Sequence, residues 1–197
     1  SVTIGKGISF NEGYTLNLPY NAKEFIVASD HPTLAVYDGA VYSKDYQTLY
    51  CCPSLKGTLK IHPNCRVFAS SRSVSKEFQV DSSNRYFSVY DGALYSKDYS
   101  ELIVAPQDKD TLALHHNVQE VDLSHRPLQA YRISSTNPNF SVYDGMLYSE
   151  DFTQLIACPS EKNSFAFHPD LDTVCSNTFE TMSFGTIVFP EGTTTLQ

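Results

Sequence analysis

The chain has 197 residues, of which 41% are hydrophobic and 18% charged, so it carries enough apolar material for an ordered core and too little charge for disorder. A formal charge of −8 works against nucleic-acid binding, which needs Lys and Arg clustered against phosphate. No apolar run of about 18 residues is present to cross a membrane as a helix, and the 13 Tyr and 12 Phe, with no Trp, favour strands.

Reading from the start, Ser1 is not preceded by Met or a signal-peptide pattern, the expectation for a mature or trimmed chain. Residues 1–24, with Leu16-Asn17-Leu18-Pro19, read as a shortened unit or N-terminal cap. Three related segments follow: Ala35 to Tyr46 (AVYDGAVYSKDY), Ser88 to Tyr99 (SVYDGALYSKDY) and Ser141 to Phe152 (SVYDGMLYSEDF). Their Asp38, Asp91 and Asp144 stand 53 residues apart, as do Pro53, Pro106 and Pro159, and His62, His115 and His168. Phe25, Phe78, Tyr131 and Phe184 keep the same interval. Such gapless recurrence predicts one repeat domain, 1–197, with units at 25–77, 78–130 and 131–183 and a partial unit or C-terminal cap at 184–197.

Within the middle unit, Asp91-Gly92 lies between Phe87-Ser88-Val89-Tyr90 and Ala93-Leu94-Tyr95-Ser96. Asp-Gly between strand formers predicts a two-residue type I′ hairpin, because that turn needs positive φ at both central residues. The pairs are then Tyr90 with Ala93, Val89 with Leu94 and Ser88 with Tyr95. Phe87, Val89 and Leu94 form the expected core face, and Tyr90 and Tyr95 the other face. Lys97 to Ser100 is a polar turn, and Leu102 to Ala105 a third strand that Pro106 ends. The second half of the unit opens on a strand-like Thr111 to Leu114. It continues with Val118, Val121 and Leu123 in the spacing of a leucine-rich coil, then Leu128, Tyr131 and Ile133 before Asn137-Pro138. The fold class expected is mainly β: a repeat solenoid of degenerate leucine-rich-repeat-like coils, with a three-stranded β-meander in each 53-residue unit.

The five cysteines (Cys51, Cys52, Cys65, Cys158 and Cys175) are odd in number; Cys52 and Cys158 stand where the middle copy has Ala105, and Cys65 where the others have Val118 and Leu171, so they read as small core residues. His62, His115 and His168 lie one whole unit apart, about 10 Å or more, too far to share a metal ligated at about 2.1 Å. Asp38, Asp45, Asp91, Asp98, Asp144 and Asp151 lack the clustered spacing calcium needs, and Asp before Gly is turn chemistry. Polar residues that recur three times at turns do not form a catalytic constellation, and no nucleophile-elbow, zincin, P-loop or dinucleotide motif occurs. No enzyme activity, metal or cofactor is expected.

With both halves of the unit in view, the chain resembles the BspA-like leucine-rich repeat proteins of bacterial cell surfaces. The resemblance rests on the block from Asn137-Pro138-Asn139-Phe140-Ser141-Val142-Tyr143-Asp144-Gly145 to Cys158-Pro159 and covers most of the chain. The sequence departs from that family where His62-Pro63, His115-His116 and His168-Pro169 replace Pro alone. It departs again where Tyr46, Tyr99 and Phe152 replace the usual turn Gly. The resemblance implies a right-handed solenoid, a secreted or cell-surface location, and adhesion to host or matrix components.

Two sets of residues are candidates for ligand binding. Tyr46, Tyr99 and Phe152 sit at a turn where a small polar residue is cheaper, so they either offer contact area to a partner or pack against a neighbouring unit; packing is the preferred reading. Tyr37 with Tyr42, Tyr90 with Tyr95, and Tyr143 with Tyr148 form either an aromatic strip or the surface by which the meander docks on its own coil, docking again preferred. The expected function is a non-enzymatic extracellular recognition or adhesion module binding protein or glycan. The alternatives are a structural spacer in a larger cell-surface protein and, less favoured, a β-helix polysaccharide-degrading enzyme. Neither nucleic acid nor membrane insertion of this segment is expected, and the oligomeric state is not legible.

Overall fold

Each Asp-Gly pair reverses the chain with positive φ at both residues: 49° and 79° at Asp38-Gly39, 50° and 77° at Asp91-Gly92, 47° and 75° at Asp144-Gly145. This is the type I′ geometry the sequence predicts. The computed structural model describes residues 1–8, 18–19, 22–53, 57–70, 75–106, 109–121, 129–160, 162, 164–175, 178–179 and 186–196. The expectations for Leu16, Asn17, Leu123, Leu128 and Phe184 lie outside these residues. Among the described residues every regular element is a β-strand, and the fold is an all-β repeat solenoid. By its internal packing the chain divides into two compact units, Ser1–Asp98 and Tyr99–Gln197.

In the first unit the strands are β1 (Val2–Ile4), β2 (Phe25–Val27), β3 (Leu34–Tyr37), β4 (Ala40–Ser43), β5 (Thr48–Cys51), β6 (Thr58–Ile61), β7 (Val67–Phe68), β8 (Glu77–Val80), β9 (Phe87–Tyr90) and β10 (Ala93–Ser96). β3, β4 and β5 form an antiparallel meander, and β9 and β10 pair in the predicted register, Tyr90 opposite Ala93 and Ser88 opposite Tyr95. Parallel ladders join β1 to β2, β5 to β7 and β6 to β8. In the last two, Thr48 faces Val67 and Thr58 faces Glu77, so one coil returns nineteen residues on.

The hairpin is threaded into the ladder rather than hung outside it. Phe25 N–H donates to the Gly39 carbonyl at 2.9 Å, and Lys60 N–H donates to Asp38 Oδ2 at 2.7 Å. The turn therefore satisfies backbone groups of both β2 and β6, as a strand between them would. A Cβ at Gly39 would meet the Cβ of Glu24 at 3.2 Å, which leaves glycine as the residue for this approach.

The second unit repeats the plan with β11 (Glu101–Val104), β12 (Thr111–Ala113), β13 (Glu120–Val121), β14 (Ala130–Arg132), β15 (Phe140–Tyr143), β16 (Met146–Ser149), β17 (Gln154–Ala157), β18 (Thr173–Val174) and β19 (Thr195–Leu196). β15, β16 and β17 form the meander; β11 pairs with β13, β12 with β14, and β17 with β18, each nineteen residues on and parallel. Tyr131 N–H donates to the Gly145 carbonyl at 2.8 Å and Ala166 N–H to Asp144 Oδ2 at 3.0 Å, the same insertion of turn into ladder. Lys162 Nζ also lies 3.0 Å from Asp144 Oδ2.

A buried amide holds each hairpin's entry. Asn84, 1% exposed, donates from Nδ2 to the carbonyls of His62, Pro63 and Cys65, and its Oδ1 accepts the N–H groups of Tyr86 and Phe87. Asn137 does the same work through His116, Val118, Asn139 and Phe140. His31 takes this place in the first copy: Nδ1 accepts from Thr33 and Leu34, and Nε2 meets the Ile8 carbonyl at 3.0 Å. These side chains complete hydrogen bonds that irregular buried backbone would otherwise lack.

The expected core face is correct for Phe87 and Leu94, with Val89 half-buried. On the other face the rings of the central strand are buried, as the docking reading expects, while Tyr90 and Tyr143 stay exposed. All of β4 is buried, and Tyr42, Tyr95 and Tyr148 are at 0% exposure, because both faces of the central strand are covered. Register shifts between Val41 and Tyr42, and again between Leu147 and Tyr148, mark a bulge at the same place in both meanders.

Candidate functional site

The site begins with the turn after the meander's second strand. Ser43 Oγ donates to Asp45 Oδ1 at 2.6 Å, Gln47 N–H donates to the same oxygen at 3.0 Å, and Thr48 N–H donates to Ser43 Oγ at 2.9 Å. Asp151 receives the equivalent bonds from Ser149 and Thr153. The Ser43 hydroxyl, then Gln47 N–H, hold the Asp45 carboxyl below its ordinary value; Ser149 and Thr153 act likewise on Asp151. These carboxylates order the turn.

The residue after each aspartate is forced into the left-handed region, with φ of 62° at Tyr46, 65° at Tyr99 and 63° at Phe152. A side chain there costs about 1–2 kcal/mol relative to glycine. What the aromatic gains is a histidine. Tyr46 stacks on His62 with centroids 4.3 Å apart at 12°, Tyr99 on His115 at 4.0 Å and 17°, and Phe152 on His168 at 4.1 Å and 11°.

Each histidine is fixed by its own turn. The N–H groups of Asn64, Asn117 and Asp170 donate to the Nδ1 atoms of His62, His115 and His168, so the proton of the neutral ring sits on Nε2. Burial lowers the His62 pKa below the usual value; burial, then the neighbouring His116, lower that of His115. Among the described residues the Nε2 atoms of His62 and His168 have no hydrogen-bond partner, and neither is sealed from solvent: Ser75 Oγ alone is buried and unpartnered there.

Beneath the stack lies the buried tyrosine. Tyr42 Oη accepts the His62 backbone N–H at 3.3 Å, and Tyr148 Oη accepts that of His168 at 3.3 Å. Burial raises both hydroxyl pKa values, that of Tyr148 to about 12. The last ring comes from the hairpin: Tyr37 meets His62 edge to face at 4.8 Å and 85°, and Tyr143 meets His168 at 5.0 Å and 86°.

The structure therefore divides the nine sequence candidates. As ligand-binding candidates Tyr42, Tyr95 and Tyr148 are corrected, since 0% exposure, the burial that the preferred docking reading implies, keeps them from a ligand on the folded surface. Tyr46, Tyr99 and Phe152 are half-buried and Tyr37 likewise, while Tyr90 and Tyr143 are 41% and 38% exposed. The histidines, set aside in the sequence as structural, are the hub of the assembled cluster. A signal for them exists: each lies sixteen residues after its turn aromatic.

The cysteines carry no comparable geometry. Cys51, Cys52, Cys65 and Cys158 are buried, and burial pushes the thiols of Cys51 and Cys65 up to about 11 and that of Cys158 to about 12. Thiols held this far from ionisation are poor nucleophiles.

No family model and no curated protein matches this sequence. Two solved structures are similar. One is the pneumococcal vaccine antigen PcpA, at 21% identity and a TM-score of 0.46, with 72% of this chain and 35% of that chain covered. The other is a leucine-rich repeat protein from Eubacterium ventriosum, at 15% identity and a TM-score of 0.48, with 84% of this chain and 60% of that chain covered. The chain thus spans less than two thirds of either protein to which it is similar.

Proposed function

We propose that this chain is a non-enzymatic extracellular recognition module of the BspA-like kind, binding a protein or glycan of host or matrix through its repeated aromatic clusters. The observation that carries this reading is the recurrence of a half-exposed ring stacked flat on a histidine, at an energetically unfavourable backbone position, in each of three units. Rings held rigidly before contact lose little conformational entropy when a partner covers them. The exposed Tyr143, edge to face with His168, widens the third of these surfaces. The NPNFSVYDGMLYS block supports the family and, with it, the bacterial cell-surface location.

A spacer that merely holds other parts of a surface protein apart is the second reading. It is favoured by the histidine beneath each ring, which gives the aromatic a packing role of its own. Screening the chain against immobilised matrix proteins and glycans, beside the variant carrying Tyr46→Gly, Tyr99→Gly and Phe152→Gly, separates the two. The recognition reading expects a ligand that the folded variant loses. A ligand that both proteins bind equally, or none at all, leaves the spacer.

A further inference from the structure

The charges that flank the three clusters do not repeat, although the rings do. Position by position, Lys44, Lys97 and Glu150 correspond; so do Arg66, Gln119 and Asp172, and so do Lys60, Ala113 and Ala166. Asn64 and Asn117 give way to Asp170, whose Oδ2 lies 3.7 Å from His168 Nδ1. The only cation close to Asp144 that the third copy offers among the described residues, Lys162, has its ammonium 3.0 Å from that carboxylate. A charged ligand would therefore meet a different field in each copy. What all three share is neutral: a flat stacked aromatic and an imidazole whose Nδ1 accepts a backbone N–H.

The floor of the cluster limits the ligand further. Tyr42 and Tyr148 lie under the rings at 0% exposure, so the tyrosines themselves are not part of the accessible surface. The strands that carry the buried tyrosines, β4 and β16, are paired on both sides and offer no edge to an added strand. What remains accessible is half-buried ring carbon with an N–H donor beside it at His62 and His168 that is not sealed from solvent. A pyranose has the matching chemistry: an apolar C–H face to lie on the aromatic and a peripheral hydroxyl to accept from Nε2–H.

Resting on the recognition-module reading above, we infer that each cluster is a subsite for one residue of a neutral glycan, with the turn aromatic as platform and, in the first and third copies, the Nε2–H of His62 and His168 as hydroxyl donor. Sulfated and sialylated glycans are disfavoured, most strongly at the acidic third copy.

The test is a glycan array probed with the full chain, followed by titration of the isotope-labelled chain with the neutral glycans that score and with heparin and sialyllactose. Saturable shifts of the His62 and His168 imidazole signals on neutral glycans are expected, with affinity reduced about tenfold or more by the Tyr46→Gly, Tyr99→Gly, Phe152→Gly variant. The variant's folding is read independently from its urea midpoint. Binding confined to heparin or sialyllactose overturns the inference. So does a protein ligand that depends on the three rings while no neutral glycan binds, an outcome that leaves the recognition-module reading standing. Absence of any ring-dependent ligand, protein or glycan, overturns both.

Discussion

Tyr46 lies flat against His62, centroids 4.3 Å apart and planes 12° from parallel, while its own backbone sits at φ 62°. The chain accepts an unfavourable backbone conformation in order to keep a ring in that place. Glycine at the same position removes ring and strain together, whereas alanine removes only the ring. Tyr46→Gly should thus fold with a stability within about 1 kcal/mol of the parent, and Tyr46→Ala should fall about 1 kcal/mol below Tyr46→Gly. Urea unfolding followed by tyrosine fluorescence measures both. Alanine as stable as glycine contradicts the strain.

The hairpin tip acts as a rung of the solenoid through Asp38. Replacing it by Asn keeps an acceptor for Lys60 N–H and a residue tolerant of positive φ, so Asp38→Asn should be nearly neutral. Asp38→Ala loses both and should destabilise the chain by about 1–3 kcal/mol. Gly145→Ala should be worse than neutral for a steric reason as well, because the new Cβ meets that of Ala130 at 3.0 Å. Thermal unfolding of the three variants gives the order directly.

Buried amides define the hairpin entries, so their replacement tests the repeat itself. Asn84→Leu leaves buried carbonyls and N–H groups unpaired and should cost about 2–4 kcal/mol. His31 occupies the equivalent place, and His31→Asn installs the side chain the other two copies use. That variant should retain most of the parent's stability, whereas His31→Leu should not. Equal losses for Asn and Leu at position 31 would show that the copies are not interchangeable there.

Acid should weaken the clusters before it reaches the carboxylates. The folded-state pKa values of His62 and His115 lie below the usual histidine value, so the unfolded chain takes up protons first as pH falls. Their contribution is fully present above about pH 6.5 and is lost as pH drops from there through the folded pKa. The lowered Asp45 and Asp151 follow the same sign at lower pH, below the ordinary carboxylate value. The urea midpoint should decline on acidification from pH 7 to pH 5, and a His62→Gln, His115→Gln variant should show a flatter profile. A parent profile that is level across this range contradicts the assignment.

Much of the fold is legible because its strongest signals are local. Asp91-Gly92 between two runs of strand formers specifies the turn, and the turn in turn specifies that Ser88 faces Tyr95. Period-two alternation also separates Leu94 from Tyr95, but it cannot say which face stays wet. Tyr95 is buried because β10 is covered on the side that the pattern alone leaves open, and coverage is a tertiary fact. His62 escapes notice for a related reason: its value lies in meeting Tyr46 and Tyr37, sixteen and twenty-five residues earlier, which only the packing of meander against coil brings to it. The leucine-rich spacing is informative at Val118, which is fully buried, and weaker at Val121, which is half-buried.

The affinity of the chain for its ligand, with and without the three platform rings, is the most direct measurement. Surface plasmon resonance on the partners found by the matrix-protein and glycan screen should show at least about a tenfold weaker interaction for the triple glycine variant, at an unchanged urea midpoint. An affinity indifferent to those rings in a folded protein would mean that Tyr46, Tyr99 and Phe152 serve the packing of the solenoid and not the recognition of a partner.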